Sequence, residues 1–263
     1  MAQPKHPLAG HGIVVTRPAH LAGELARLIR AAGGNPILFP VLEIRDVADP
    51  GPLDALIARL DEFDLAIFIS PNAAEKAMHL ITARRALPAK LAVAAIGGGG
   101  VKTLGRYGVT RVIAPAGRYD SEALLEQPAL AGVKGKRVVI FRGEGGREVL
   151  GDTLAARGAL VEYAECYRRF RPDRDAAPLL AAWAGNALDA ITATSSESVR
   201  NLHDMVGPPG RERLGSTPLF VPHPRIAETA RALGLARLIV TGAGDEGLVA
   251  GMSEFFAAQT GAR

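Results

Sequence analysis

The chain has 263 residues, 48% of them hydrophobic and 22% charged, which is enough for one substantial core or two modest ones. The formal net charge is only +4, and no Lys/Arg run or interleaved aromatic series argues for a nucleic-acid partner. A single cysteine, Cys166, excludes an internal disulfide and leaves too few thiols for a zinc or iron–sulfur site. No apolar stretch approaches the roughly 20 residues that span a bilayer, and no apolar leader is seen, so we expect a soluble, cytoplasmic protein.

Strand-like apolar runs alternate with helical patterns along nearly the whole chain. The segment HLAGELARLIRAAGG, for example, places Leu21, Leu25, Leu28 and Ile29 on one helical face and ends at Gly33. This alternation predicts an α/β protein whose parallel sheets carry helices on both faces. The predicted strands cover residues 13–16, 65–69, 91–96, 111–114, 137–142, 189–193, 218–221 and 237–240.

The chain also repeats itself with an offset of 125 residues. The segment GIVVTRPAHLAGELARLIRAAGG aligns without gaps with RVVIFRGEGGREVLGDTLAARGA, so that Arg17 corresponds to Arg142 and Gly33 to Gly158. The offset persists further along, where DLAIFISPNA aligns with DAITATSSES. Two matches at one register indicate two related α/β halves.

In both halves the first helix leads into an unusually extended segment, NPILFPVLEIRDV in the first half and ALVEYAECYRRFRP in the second. If these segments pair as an antiparallel ladder, each lobe is completed by the other half of the chain. The lobes would then comprise residues 1–38 with 170–263, and residues 39–169, with connectors at 36–46 and 160–171. A tandem arrangement divided near residue 130 is the alternative, and periodicity does not choose between the two.

Small and polar residues follow many of the predicted strands, where open α/β sheets bind their ligands. Such turns offer backbone amides to carboxylates or phosphates, although each taken singly also fits an ordinary loop or capping role. Nucleotide motifs fit poorly, because Glu148 stands where a GxGxxG motif needs its third glycine. The turns in question contain Arg17, Ser70, Gly97, Gly98, Gly100, the bend Gly143, Gly145 and Gly146 with its flanking Arg142 and Arg147, Ser195 and His223.

The run RGEGGREVLGDTLAARGALVEYAECYRR resembles the most recognisable segment of the uroporphyrinogen-III synthase family. The resemblance covers essentially the whole chain and implies two flavodoxin-like lobes with parallel sheets. A two-stranded antiparallel ladder would join these lobes, and the substrate would bind in the cleft between them. The supporting segments, in the order typical of that family, are VTRP at 15–18, FISPNA at 68–73, AIGGGG at 95–100, DSEALLEQPAL at 120–130, TSSES at 194–198 and HPRIAETARALG at 223–234.

The resemblance also implies a reaction. A cofactor-free lyase closes hydroxymethylbilane, a linear tetrapyrrole rich in carboxylates, into uroporphyrinogen III with the terminal pyrrole ring inverted. Loss of the terminal hydroxyl gives an azafulvene cation, and a spiro intermediate then fragments and recloses. Because the bilane also cyclises unaided to the uninverted isomer, the main task is to hold the conformer that reacts the other way. Transient contact with hydroxymethylbilane synthase, which supplies the labile substrate, is a further implication.

The family's candidate acid for hydroxide loss corresponds to Tyr167, in ECYRR, although this tyrosine could instead merely pack against the ladder. Its neighbour Cys166 should point to the opposite side of a strand and form a buried thiol. Some members carry hydroxyls where this chain has Gly100 and Ile226, so binding there would use backbone amides. The implied substrate-binding set is Arg17, Ser70, Gly97, Gly98, Gly100, Arg142, Gly143, Gly145, Gly146, Ser195 and His223.

Two other functions stay open at this point. One is a non-enzymatic, two-lobed cytoplasmic protein that binds an anionic small molecule; the chain has neither an export signal nor an output segment to support it. The other is a transferase with a nucleotide-activated donor, which the missing phosphate motifs disfavour. We expect a monomer without a metal, membrane contact or nucleic-acid partner.

Overall fold

A computed structural model describes residues 6–146 and 148–260. The chain divides into two compact units, one built from Met1–Glu43 with Phe170–Arg263 and the other from Ile44–Arg169. The first boundary falls after Glu43 rather than after residue 38. The reason is that Phe39 and Val41 are buried in the core of the first unit.

Seven of the eight predicted strands form within one residue of the expected limits, and helices lie between them. The exception is 111–114, where Ile113 alone makes a bridge to Ala94, because Pro115 ends the pairing. The strands are β1 (Gly12–Val15), β2 (Asn35–Leu38), β3 (Glu43–Arg45), β4 (Leu65–Phe68), β5 (Ala92–Ala95), β6 (Arg137–Gly143), β7 (Leu160–Phe170), β8 (Ala190–Thr192), β9 (Leu219–Val221) and β10 (Leu238–Val240).

The first helix of the chain is shorter than its apolar pattern. It begins at Gly23 and ends at Ala31, after which Gly33 adopts a φ of +88°. The helices are α1 (Gly23–Ala31), α2 (Gly51–Ala58), α3 (Pro71–Thr82), α4 (Gly98–Arg106), α5 (Ser121–Leu125), α6 (Pro128–Ala131), α7 (Val149–Ala156), α8 (Ala177–Ala184), α9 (Ser196–Met205), α10 (Gly207–Ser216), α11 (Pro224–Ala232) and α12 (Gly244–Thr260).

The first unit holds a five-stranded sheet in the order β2-β1-β8-β9-β10, and every pair in it is parallel. Counted along the chain within this unit, the order is 2-1-3-4-5, which is that of the flavodoxin-like fold. The predicted fold class is therefore confirmed for this lobe.

The second unit holds a five-stranded sheet in the order β5-β4-β6-β7-β3. The pairs β4–β5, β4–β6 and β6–β7 are parallel. Strand β3 lies at the edge, beside β7. The two extended segments recognised in the sequence are thus hydrogen-bonded neighbours.

The 125-residue repeat is also visible in the strands. It relates β1 to β6, β2 to β7, β4 to β8 and β5 to β9, and it brings Ile113 onto Leu238 in β10. The first sheet combines β1 and β2 with the last three strands of the second half. The second sheet combines β6 and β7 with β4 and β5 of the first half. Each sheet therefore contains strands from both halves.

The central strands of both sheets, β1, β8 and β9 in the first and β4 and β6 in the second, are buried almost throughout, which explains their continuous apolar runs. In β1, Val14 packs among the residues of α8 to α11, whereas Ile13 and Val15 pack towards α1 and α12. In the second unit, Phe68 and Phe141 stack with their ring centroids 4.7 Å apart. Within the part of the chain that the structure describes, no helix combines the length and apolar character needed to cross a membrane.

Candidate active site

The predicted residues of the second unit gather at the carboxyl edge of its sheet. Ser70 follows β4, Gly97 follows β5, Gly143 ends β6 and Tyr167 lies in β7. The starts of α3 and α4 are close together, because a Cβ added at Gly99 would lie 2.9 Å from the Cγ of Pro71. The turn that contains Gly97, Gly98 and Gly100 therefore lies beside Ser70.

Ser70 and Tyr167 form a direct side-chain contact, 97 residues apart in the chain. The Ser70 Oγ lies 3.1 Å from the Tyr167 hydroxyl oxygen. The same Oγ accepts a hydrogen bond of 3.1 Å from the Ala73 amide and so caps α3. Tyr167 is only 2% exposed and belongs to the core of its unit, whereas Ser70 is half-buried.

Because Gly143 has no side chain, the ring of Tyr167 can occupy the space directly beside it. The β6–β7 register shifts between Arg142 and Gly143, and this bulge sets Gly143 opposite Tyr167. A Cβ added at Gly143 would lie 2.6 Å from Cε2 and 2.7 Å from Cζ of that ring. Just beyond, the Glu144 amide donates a 2.8 Å hydrogen bond to the Tyr167 carbonyl, which fastens the bend to β7.

Arg142 lies buried beneath the bend, with 4% exposure. Its Nε donates to the Gly143 carbonyl at 3.3 Å, its Nη2 donates to the Gly145 carbonyl, and its Cζ lies 4.7 Å from the centroid of the Tyr163 ring. The sequence predicted that Arg142 binds substrate. In the structure, two of its donors are directed to carbonyls of the bend itself.

The two glycines at the tip of the bend adopt left-handed backbone angles, with φ of +66° at Gly145 and +111° at Gly146. The Gly145 amide, predicted to be available to a ligand, donates a 3.1 Å hydrogen bond to the Glu165 carboxylate. Arg147, the second arginine that flanks the bend in the sequence, lies outside the described residues.

The first unit places Arg17, Ser195 and His223 after the neighbouring strands β1, β8 and β9. Arg17 forms an ion pair with Asp245 in the first turn of α12, and the two side chains are 18% and 14% exposed. Ser195 caps α9 by accepting a 3.0 Å hydrogen bond from the Ser198 amide. His223 caps α11, its Nδ1 accepting a 3.1 Å hydrogen bond from the amide of Arg225.

Cys166 has the buried thiol that the sequence predicted. It is 1% exposed, and its Sγ donates to the Ala164 carbonyl at 3.2 Å. Burial raises the pKa of the Cys166 thiol to about 12, which keeps it protonated near neutrality. Ile226 and Gly100, the positions without a hydroxyl, are both buried.

Three partners in these contacts were not predicted from the sequence, namely Asp245 for Arg17, Glu165 for Gly145, and Ser70 as the partner of Tyr167. Each is distant in the chain from the group it contacts, so no local pattern could point to it. One signal was present for the serine, because Ser70 and Ser195 are related by the 125-residue offset. Among the described residues, no cluster of His, Cys, Asp and Glu could hold a metal ion.

Comparison with known proteins identifies the family. The sequence model described as "Uroporphyrinogen-III synthase HemD" matches residues 23–250. The chain belongs to the uroporphyrinogen-III synthase family. Membership confirms that it is an enzyme of the lyase class, as the resemblance implied, and does not favour the alternative of a binding protein without chemistry.

Individual relatives agree with this assignment to the synthase family. The uroporphyrinogen-III synthase of Escherichia coli is 34% identical over 224 residues, which are 84% of this chain and 91% of that protein. The putative uroporphyrinogen-III synthase of Methanothermobacter thermautotrophicus is 33% identical over 202 residues, or 74% of this chain and 78% of the relative.

Solved structures of the synthase family share the fold. A mutant uroporphyrinogen-III synthase from Thermus thermophilus superimposes with a TM-score of 0.61 at 20% identity, covering 95% of this chain and 99% of that chain. The enzyme from Helicobacter pylori gives a TM-score of 0.57 at 12% identity, again over 95% and 99% of the two chains. At these identities the likeness concerns the two-lobed α/β fold.

Proposed function

We propose that the chain closes hydroxymethylbilane into uroporphyrinogen III and inverts the terminal pyrrole ring. The observation that carries this proposal is the family match over residues 23–250, together with 34% identity to the Escherichia coli enzyme. We also propose that the reaction needs no cofactor, because the electrons of the pyrrole rings can drive each carbon–carbon bond-forming step.

The proton for the first step comes, in this proposal, from the hydroxyl pair of Ser70 and Tyr167. Their 3.1 Å separation supports it, because a proton can pass directly between two hydroxyls at that distance. Protonation of the terminal hydroxyl lets it leave as water, and an azafulvene cation remains. Ring closure through the spiro intermediate ends with the loss of one proton from a ring carbon, so the protein's proton is returned.

The carboxylates of the substrate would be held by the amino-terminal turns of helices. Gly97 and Gly98 start α4, Ser195 precedes α9 and His223 precedes α11, each just beyond a strand of its own sheet. Helix starts carry partial positive charge and amide donors, which suit carboxylates. Fixing a carboxylate at such a turn would favour the substrate conformer that closes with inversion.

Two further proposals concern the setting of the reaction. We propose a cytoplasmic location and transient contact with hydroxymethylbilane synthase. The support for the contact is chemical. Free bilane cyclises unaided to the uninverted isomer, and rapid transfer from one enzyme to the other would limit this side reaction.

The deciding experiment supplies purified protein with freshly made hydroxymethylbilane and resolves the isomers by chromatography. We expect the inverted isomer to dominate and its rate of formation to rise in proportion to protein concentration. A parallel sample with heat-denatured protein should give the uninverted isomer at the unaided rate. The same unaided outcome from the native protein would reject the proposed function.

A further inference from the structure

We propose that Ser70 is the hydroxyl that touches the substrate, and that Tyr167 is a positioning residue that acts through Ser70. This inference rests on the proposed function and assigns different tasks to the two members of the hydroxyl pair. It departs from the resemblance-based expectation, which made Tyr167 itself the acid that meets the bilane.

The first observation is the contrast in burial between the two hydroxyl-bearing side chains. Tyr167 is 2% exposed and packs into the core of its unit, and its ring lies against Gly143. Ser70 is half-buried and stands at the start of α3, beyond the carboxyl end of β4. A substrate approaching this edge of the sheet therefore meets Ser70 before it meets the tyrosine.

The second observation is the order of the hydrogen bonds. A serine hydroxyl has two acceptor positions and one proton. The Ala73 amide occupies one acceptor position of Ser70, and the Tyr167 hydroxyl, 3.1 Å away, can occupy the other. The proton of Ser70 is then directed away from both partners and can be donated to a substrate.

This arrangement gives a balanced proton path. The carbon–oxygen bond of the hydroxymethyl group breaks with its electron pair on oxygen, which takes the Ser70 proton and leaves as water. Ser70 takes the phenolic proton, so Tyr167 becomes a phenolate. The guanidinium of Arg169, with its Cζ 6.0 Å from the ring centroid of Tyr167, offsets part of this negative charge. The ring-carbon proton released at the end returns to Tyr167 through Ser70.

The repeat supplies an internal comparison. Ser195, at the position equivalent to Ser70, caps α9 in the same way, but its Oγ lies 2.8 Å from the Ser198 hydroxyl. The position equivalent to Tyr167 is Leu42. Capping a helix at this point of the fold therefore does not need a tyrosine partner. The contact of Ser70 with Tyr167 must serve a purpose other than capping α3.

The test compares Ser70→Asn, Tyr167→Phe and the double variant with the wild type. Asparagine keeps a side-chain cap for α3 and so preserves folding, but it removes the hydroxyl. We expect Ser70→Asn to lower kcat for the inverted isomer roughly 10- to 100-fold, a loss within the range of general acid catalysis. Tyr167→Phe should lower kcat by no more than Ser70→Asn does. Because the two residues act in series in this proposal, the double variant should lose no more kcat than Ser70→Asn alone.

Two readouts separate this role from a structural one. KM should stay within about two-fold of the wild-type value in both single variants, since the proposal concerns a step after binding. Ser70→Thr, which restores both hydroxyl and cap, should recover most of kcat. Tyr107→Phe is the matched control, because it removes a tyrosine hydroxyl bonded at 2.9 Å to Glu75 in the same unit and should leave kcat unchanged.

Several outcomes would overturn the inference. A wild-type kcat in Ser70→Asn with a reduced kcat in Tyr167→Phe would mean that the tyrosine meets the substrate directly. Multiplicative losses in the double variant would mean that the two residues act independently. If even the wild type yields only the uninverted isomer at the unaided rate, the proposed function fails, and this inference fails with it.

Discussion

Gly143 and Tyr167 are partners across the β6–β7 pairing, and the tyrosine ring occupies the space where any larger residue would carry its Cβ. That Cβ would come within 2.6 Å of Cε2, and the ring would have to move. The same ring carries the hydroxyl that contacts Ser70. A single methyl group at Gly143 therefore tests packing and proton transfer together.

We predict that Gly143→Ala lowers the free energy of unfolding by about 1–3 kcal/mol, the usual cost of overpacking a core. Turnover should fall at least as far as in Tyr167→Phe, because the displaced hydroxyl loses its contact with Ser70. Urea unfolding and kcat measurements check both parts. Gly105→Ala is the control, since a Cβ there meets nothing within 4 Å, and it should raise stability by roughly 0.5–1 kcal/mol. Unchanged stability in Gly143→Ala would contradict the packing at this contact.

Arg142 offers a test of structural against substrate-binding roles. Arg142→Ala removes two charge-assisted hydrogen bonds and the stacking on Tyr163, so we expect it to lower the free energy of unfolding by at least ~2 kcal/mol. The control is Arg168→Ala, which breaks an ion pair with Glu144 whose side chains are 38% and 53% exposed. Its cost should stay below about 1 kcal/mol. A stable Arg142→Ala protein with a raised KM would instead restore the substrate-binding role.

The Cys166 thiol should resist alkylation in the folded protein. Burial raises its pKa to about 12, so the reactive thiolate is scarce at neutral pH and the sulfur is enclosed as well. Iodoacetamide should label the native protein far more slowly than the urea-unfolded protein, as followed by mass spectrometry. Equal labelling rates in the two states would show that the thiol is accessible.

Glu162 should make stability depend on acid pH. Hydrogen bonds from Arg59, and then from Arg137, hold the pKa of its carboxyl below the ordinary value of 4.5. The stabilisation is therefore complete above that value and is lost as the pH falls through the lower pKa of the folded state. The free energy of unfolding of the wild type should exceed that of Glu162→Gln near neutrality, by less than about 1 kcal/mol for a pair of this exposure. The difference should shrink in acid, and a gap that instead widened would contradict the assignment.

The local features of the candidate site could be predicted well from the sequence. Ser70 and Ser195 each precede a helix and cap it, and Cys166 is buried, as the patterns around them indicated. Arg142 was less predictable. An arginine that flanks a glycine-rich bend can either bind an anion or donate hydrogen bonds to the carbonyls of the bend. The burial of its side chain, which bears on this choice, could not be read from the sequence.

The sequence by itself determined the alternation of strands and helices, the two related halves and the family. These depend on patterns a few residues long, or on residue identities that can be compared directly. Only the tertiary structure decided that β1 lies beside β8 rather than beside β4, and that Tyr167 meets Ser70. The central strands of both halves are apolar runs, so either half could complete a sheet on periodicity alone. The choice depends on packing and hydrogen bonds summed over distant segments, which no local window of the sequence contains.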